Sequence, residues 1–463
     1  MAEPHADALA DTLQRALAAA DVPEADAFAS RVARGLARFS LNTLNQHGQM
    51  TDVTVTVRAI ARASDGARIA SVTTSDSSVE SVTRALHRAR ANAERSPVVP
   101  GWPVLAGADD AAPKAAVPSV PRFSASTARA TADERTDRVT SALDIARANG
   151  LTAAGLLDTS TTAMAVANTR GLVRASDLTF ATFKMFALDS SGVSGFAQAT
   201  HRDLSQIDVA TCARRAAEKS IAGKDAIALP AGEYDVVLEP QAVTELLEWL
   251  CFIAFGAREV QDGTSPLAGR IGERITGERV TIVDDANDPG ELGFGPTFDR
   301  EGTARKRVVL VDRGIAGAPV FDRLYAARMG SESTGHAAPP NGFDDAPVAQ
   351  SLAMAGGADS IDDLVGRIER GLYITRFHYV NGFLDPRRAV MTGLTRDGTF
   401  LIENGRLGRG VKNMRFTDSV LDAFTRIDGV TEARAAVPTW WSNAGAFVAP
   451  SLLVRRLRFS SGG

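Results

Sequence analysis

The stretch from Arg279 to Gly335 constrains this chain more than any other. Val280, Ile282 and Val283 form one short apolar run, and residues 308–311 form a second. Each reads as a short strand. Between them lies a carboxylate-rich loop with Asp284, Asp285 and Asp288, then Asp299 and Glu301 in the string Phe298-Asp-Arg-Glu-Gly. Asn287-Asp-Pro-Gly within it is turn chemistry, because Asp and Asn bond their own backbone and Gly supplies positive φ. Asp312-Arg-Gly, Tyr325-Ala-Ala-Arg-Met-Gly and Thr334-Gly-His follow the second strand. So long a loop inside a compact domain is functional or disordered as a rule, and its patterned strands and turns argue against disorder.

The string resembles the TldD/PmbA family of metallopeptidase-related proteins, also called the modulator of DNA gyrase family. That family carries an Ile-x-Asp-Asp strand end, a Phe-Asp-x-Glu-Gly turn, a Gly-ending strand, an Ala-Ala-Arg segment and a Thr-Gly, and all five occur here in order. The likeness extends over most of the chain and is strongest from about Gly232 to Gly429. The Ile402-Glu-Asn-Gly hairpin and the Pro450-Ser-Leu ending are shared as well.

In the catalytic branch of that family a helix carries His-Glu-x-x-x-His, two imidazoles for zinc and a Glu as base for a bound water. Anchored on Leu246-Leu247, the matching positions here are Glu248, Trp249 and Ile253, and no histidine lies between His201 and His336. The branch's third ligand is a Cys in a Cys-Gly-Lys-type segment, whose counterpart here is Trp440-Trp-Ser-Asn-Ala-Gly. The resemblance therefore implies the TldE/PmbA-like branch, which lacks the zinc motif. It implies no catalytic residue and no metal or cofactor in this chain. Zinc is expected in a TldD-like partner, with which the chain forms a cytosolic heterodimer that cleaves unfolded peptides. The alternatives left open are a stand-alone, non-enzymatic peptide-binding or modulator protein and an autonomous hydrolase with a different site.

Five residues are picked as substrate-binding or interface candidates: Asp285, Asp299, Glu301, Thr334 and Asn404. The carboxylates suit a hard cation through oxygen ligands but lack the 1-3-5-12 spacing of a calcium loop, and capping and turn bonding is the competing role. Cys251, His336 and His378 are the soft ligands of this half, and no metal spacing joins them. Cys212 sits near Arg214, Arg215 and Lys219, a setting that lowers a thiol pKa if exposed. Neither a Gly-x-x-x-x-Gly-Lys phosphate loop nor a Gly-x-Ser-x-Gly elbow occurs.

With 463 residues, the chain has room for two or three domains. Its 51 basic and 55 acidic residues give a net charge of −4, which argues against nucleic acid as a partner. Two cysteines fit a reducing compartment. The acidic start lacks a signal-peptide core, and no run of ~18 apolar residues exists to cross a membrane. A cytoplasmic location is expected.

The fold expected is α+β, with an N-terminal α+β region over 1–230 and a β-rich, barrel-like C-terminal domain with a few helices over 231–463. In the first region Leu9, Leu13, Ala16, Leu17 and Ala20 mark a helix face, and a second helix is expected from Pro23 to near Phe39. Val53, Val55 and Val57 alternate as a strand, and Asp65-Gly66 turns it back. Ser77 with Glu80 and Thr131 with Glu134 read as capping boxes. A Pro/Ala-rich segment at 96–124 reads as a surface crossing. Strands follow at 155–160, 163–167 and 172–188, then a helix at 205–220. In the second region residues 234–238 read as a strand, and Val243, Leu246, Leu247, Leu250, Cys251 and Ala254 share a helix face. Asn381-Gly382, Asp397-Gly398 and Asn404-Gly405 read as hairpin turns.

Overall fold

The structure, a computed structural model, describes residues 6–108, 122–288, 294–339, 346–439 and 445–461. The first half contains α1 (Ala6–Ala20), β1 (Ala25–Ser40), β2 (Thr43–Ala63), β3 (Gly66–Thr74), α2 (Val79–Ala93), β4 (Val98–Pro100), α3 (Ala125–Ala128), α4 (Ala132–Ala148), β5 (Thr152–Asn168), β6 (Val173–Leu188), β7 (Ser194–His201) and α5 (Val209–Ala222). The second contains β8 (Gly232–Leu238), α6 (Pro240–Ile253), α7 (Ala257–Gln261), β9 (Ile282–Asp284), β10 (Val308–Asp312), β11 (Ile315–Ala316), α8 (Arg323–Arg328) and β12 (Leu352–Met354). It closes with α9 (Ile361–Gly366), β13 (Arg370–Asp385), β14 (Val390–Glu403), β15 (Arg406–Gly410), β16 (Arg415–Ser419), α10 (Val420–Thr425), β17 (Ile427–Pro438) and β18 (Ala446–Ser461). The molecule is α+β, with strands dominating the second half. No helix among the described residues is long and apolar enough to cross a membrane.

The helix expected over 23–39 is instead β1, the strand between β2 and β5 in a seven-stranded antiparallel sheet ordered β4-β3-β2-β1-β5-β6-β7. The misreading has a clear cause. Ala33, Gly35, Ala37 and Phe39 alternate with exposed or half-exposed neighbours, a period of two, but the buried face is mostly alanine, which favours helix in isolation. Small residues are needed there because helices cover that face closely. Ala27 and Ala29 of β1 and Ala163, Ala165 and Ala167 of β5 pack under α1 and α2. Ala37 of β1 and Leu157 of β5 pack under α4 and α5. The two strands expected at 155–167 are one strand, β5. The cap of α2 is Ser78, whose side chain accepts from Ser81 N, in place of Ser77. Thr131 caps α4 by accepting from Glu134 N, while the Glu134 side chain pairs with Arg138, so the cap forms without the reciprocal bond of the expected box. The Pro/Ala-rich crossing contains β4 and ends just before α3, and its prolines at 113, 118 and 121 lie outside the described residues.

The opposite face of this sheet carries Phe28, Met164 and Val166, which pack on Phe298 of the carboxylate loop. Phe180 packs there against Phe294, Ala353 and Val448. The first half is thus a helix layer and a sheet layer, with the bare side of the sheet turned to the second half.

The second sheet has eleven strands, and its path β18-β16-β14-β13-β8 closes because β8 also pairs with β18. α6 lies in this ring: Val243, Leu246, Leu247 and Leu250 share one cluster with Leu372 and Phe377 of β13, Phe416 of β16 and Leu452 of β18. Closure removes free edges, and the helix supplies the apolar filling. Of the three hairpin turns expected, only Asn404-Gly405 is one, joining β14 to β15 with φ values of 50° and 72°. Asn381-Gly382 lies inside β13 and Asp397-Gly398 inside β14, at irregularities in their pairing.

Candidate functional site

The carboxylate loop closes on itself around Asp284, the last residue of β9, which is fully buried. Its Oδ1 lies 2.5 Å from Arg305 Nη2 and 3.0 Å from His336 Nε2. Its Oδ2 accepts the backbone N–H groups of Gln350 at 2.6 Å and Ser351 at 2.8 Å. Burial alone would raise the Asp284 pKa, but Arg305, His336 and the backbone donors outweigh it and hold the group well below the usual carboxylate range. Burial lowers the pKa of His336 against the pull of Asp284. His336 Nδ1 lies 2.8 Å from the Thr334 carbonyl oxygen, which can only accept, and 2.9 Å from Thr334 Oγ1. Thr334 Oγ1 also accepts from Phe321 N at 2.7 Å.

Asp299 and Glu301 sit in the next turn. Asp299 Oδ1 accepts from Glu301 N at 2.9 Å and Thr303 N at 3.0 Å, and Oδ2 accepts from Ala337 N at 2.9 Å. Glu301 Oε1 lies 3.2 Å from Arg58 Nη2, and Oε2 accepts from Arg323 N at 3.2 Å. Arg58 belongs to β2 and also holds Asp26 of β1, Nε to Oδ2 at 2.9 Å. Asp322 caps α8 by accepting from Tyr325 N at 2.7 Å. Burial, then the Glu301 charge, pushes Asp299 up to about 8 and Asp322 up to about 7. Asp285 accepts from Asn287 N at 2.8 Å and lies 3.4 Å from Arg307 Nε. Burial raises its pKa, with Asp288 and Asp284 adding to the effect.

Asp285, Asp299, Glu301 and Thr334 are therefore brought into one connected region. Their oxygens bond to protein groups that clamp the loop, its β9–β10 base and the first sheet together. Asn404 stands apart in the β14–β15 turn, where its N–H donates to Glu369 O at 2.7 Å.

Sequence reasoning missed the environment of α6. Its N-cap Glu239 is paired with Lys219 of α5, Nζ to Oε1 at 2.6 Å. Away from the apolar face, Glu245 Oε2 accepts from Phe377 N at 2.5 Å, and Oε1 lies 3.5 Å from Arg376 Nε. Burial pushes Glu245 up to about 7 against the pull of Arg376. The Arg376 guanidinium lies 5.1 Å from the ring centre of Phe196 and 3.3 Å from Asp397 Oδ2, tying α6 and β13 to the first sheet.

The C-terminal end of α6 borders a cavity of about 560 Å³ whose walls include Trp249, Phe252, Ile253, Pro347, Val348 and Phe383. Trp249 meets Phe383 edge to face, ring centres 5.0 Å apart. Arg258 and Glu259 also line the cavity and pair with each other at 2.9 Å. Cys251 belongs to the wall and is 1% exposed; its Sγ lies 3.1 Å from Ala349 O, and burial raises its pKa strongly. Cys212 is on the buried face of α5, and burial, despite Arg215 and Lys219, pushes its thiol up to about 12. The basic neighbours therefore do not activate it. A signal for the cavity was present in the sequence: Trp249 and Phe252 are large aromatics flanking the apolar face of α6.

Two of the three α6 positions that the resemblance sets against the zinc motif, Trp249 and Ile253, line this cavity. A half-buried carboxylate at Glu248, an indole and an alkyl side chain do not form a zinc donor set. Among the described residues no group of three or more His, Cys, Asp or Glu is arranged to hold a metal ion. The segment with Trp440 and Trp441 lies outside the described residues. The residues present on α6 do not fit the metal, and no chemistry is routed through it.

Residues 231–461 match the PmbA/TldA metallopeptidase C-terminal domain, so a helix-filled closed sheet of the metallopeptidase-related class makes up the second half. The chain belongs to the TldD/PmbA family. Over 242 residues it is 28% identical to a metalloprotease of Methanothermobacter thermautotrophicus, covering 52% of this chain and 50% of that one. Over 226 residues it is 27% identical to a metalloprotease TldD homolog of Haemophilus influenzae, covering 48% of this chain and 45% of the other. The chain thus spans about half the length of the curated relatives it matches. The crystal structure of TldE from Thermococcus kodakarensis superimposes with a TM-score of 0.85 over 97% of this chain and 100% of that one, at 19% identity, a likeness of fold.

Proposed function

We propose that this protein is the subunit without a zinc site in a TldD/TldE-type peptidase, acting in the cytosol with a zinc-bearing TldD-like chain on unfolded peptides. The observation that carries this reading is α6. The helix is seated in the family's fold, yet Glu248, Trp249 and Ile253 stand where the catalytic branch has its His-Glu-x-x-x-His. A chain that keeps the scaffold and not the ligands is suited to shaping a substrate chamber while the partner supplies the metal. Asp285, Asp299, Glu301 and Thr334 then hold the loop beside that chamber.

The test is co-expression with a TldD-like chain, followed by metal analysis and a peptidase assay on an unfolded substrate. Zinc confined to the mixed sample, and activity that needs both chains, support the proposal. Equal activity of the TldD-like chain alone rules it out.

A second reading, a stand-alone peptide-binding protein, is favoured by one observation: the cavity at the end of α6 has a largely aromatic and aliphatic wall that includes Trp249, Phe252, Val348 and Phe383. Native mass of the purified protein, alone and with the TldD-like chain, separates the two.

A further inference from the structure

We propose that the cavity at the end of α6 and the tip of the β13–β14 hairpin together bind a bulky apolar side chain presented by an acidic, extended peptide segment. The proposal takes from the preceding section only that peptides are the ligand class; it does not need the partner chain.

The first support is volume and chemistry. At about 560 Å³ the cavity lies within the usual range for binding pockets, roughly 300–1,000 Å³. Its charged lining residues, Arg258 and Glu259, neutralise each other. What remains to recognise a ligand is the aromatic and aliphatic wall.

The second support is the hairpin. Phe383, part of the cavity wall, is 63% exposed, and Leu384, next to it in the chain, is 54% exposed, so large apolar side chains are presented to solvent at this hairpin. This wall is built rather than loose. The Gly382 backbone lies directly on Trp249, and a Cβ added there would stand 2.9 Å from Trp249 Cβ. The Trp249–Phe383 edge contact fixes the next residue.

The third support is charge. Arg387 and Arg388 are exposed and follow Pro386, itself part of the cavity wall. Neither makes an ion pair among the described residues, and Asp385 beside them uses Oδ1 to accept from Arg388 N at 3.2 Å. Two exposed arginines directly after a residue of the cavity wall suit carboxylates flanking the inserted side chain. They also argue against a second copy of this chain, whose same face would bring like charges together.

The full chain would be titrated with acetyl-Glu-Phe-Glu-Glu-amide, followed by Trp fluorescence and calorimetry, with Trp249→Phe identifying the reporting indole. Saturable binding is expected. Replacing the peptide's Phe with Ala should weaken it on the order of tenfold, the worth of burying one aromatic side chain. Replacing its Glu residues with Lys should weaken it roughly fivefold, and added salt should reduce that preference. Phe383→Ser and the double variant Arg387→Glu/Arg388→Glu change exposed residues only. Each should lose affinity while keeping the wild-type unfolding midpoint, and the double variant should come to prefer the Lys peptide. Absence of saturable binding at millimolar peptide, equal binding of the Phe and Ala peptides, or indifference to peptide charge overturns the proposal. So does a concentration-dependent dimer abolished by Phe383→Ser. Binding by the isolated chain without any effect on a TldD-like peptidase would leave this proposal standing and remove the subunit reading. Peptidase support without peptide binding would do the reverse.

Discussion

Arg58 of β2 and Glu301 of the carboxylate loop meet at 3.2 Å with both side chains buried, although 243 residues separate them in the chain. The same guanidinium holds Asp26, so one cation serves two buried carboxylates where the first sheet meets the loop. Arg58→Met would leave both carboxylates without their partner. Removing one member of a buried charge cluster costs ~3–5 kcal/mol. Urea unfolding should show that loss; a change under ~1 kcal/mol would mean that the cluster does not couple the loop to the sheet.

Stability should depend on pH in two opposite ways. Burial raises Glu245 from 4.5 to about 7, Asp322 from 3.8 to about 7 and Asp299 from 3.8 to about 8. The folded state therefore holds protons that the unfolded chain releases. Their contribution is complete below the unfolded values and is lost as pH rises through about 7 to 8. Asp284 is depressed, so its contribution is present above 3.8 and is lost as pH falls through its folded value. The melting temperature should peak at mildly acidic pH and fall on both sides. Glu245→Gln should flatten the decline between 4.5 and about 7 by up to ~3 kcal/mol. An unchanged slope would place the titration elsewhere.

Asn404 adopts φ 50° ahead of Gly405 at φ 72°, the left-handed pair that a two-residue hairpin turn needs. Asn404→Gly should leave the melting temperature nearly unchanged, whereas Asn404→Val should cost ~1–2 kcal/mol from backbone strain. If Asn404→Gly keeps stability but abolishes support of a TldD-like peptidase, the side chain contacts substrate rather than serving the turn.

Both thiols should be silent in the folded protein. Cys212 and Cys251 are buried and their pKa values are raised by burial. A disulfide reagent at pH 8 should label neither natively and both in denaturant. Fast labelling of Cys251 in the native state would show that the cavity opens to the back of α6.

Local patterning carried the reading wherever one segment's own residues decide the outcome. α6 was legible because Val243, Leu246, Leu247, Leu250 and Cys251 recur at the helical period and are large enough to mark their face. The paired strands β9 and β10 and the Asn404-Gly405 turn were legible for the same local reason. β1 was not, because its buried face is alanine and glycine, whose small size answers to helices packed above it. Asn381-Gly382 and Asp397-Gly398 look like turns, yet Gly382 lies against Trp249, and Gly398, at φ 129°, would place a Cβ 2.5 Å from Thr375 Oγ1. There glycine serves close approach inside a strand, which only the neighbour reveals.

The sequence by itself determined the family and the helix that bears Glu248, Trp249 and Ile253, because residue identity and short-range period are local properties. Only the tertiary structure decided that Arg58 pairs with Glu301, that burial raises the pKa values of Asp299 and Asp322, and that Trp249, Pro347 and Phe383 enclose one cavity. Each of those depends on burial and distance between segments far apart in the chain, which are set when the two sheets pair and close.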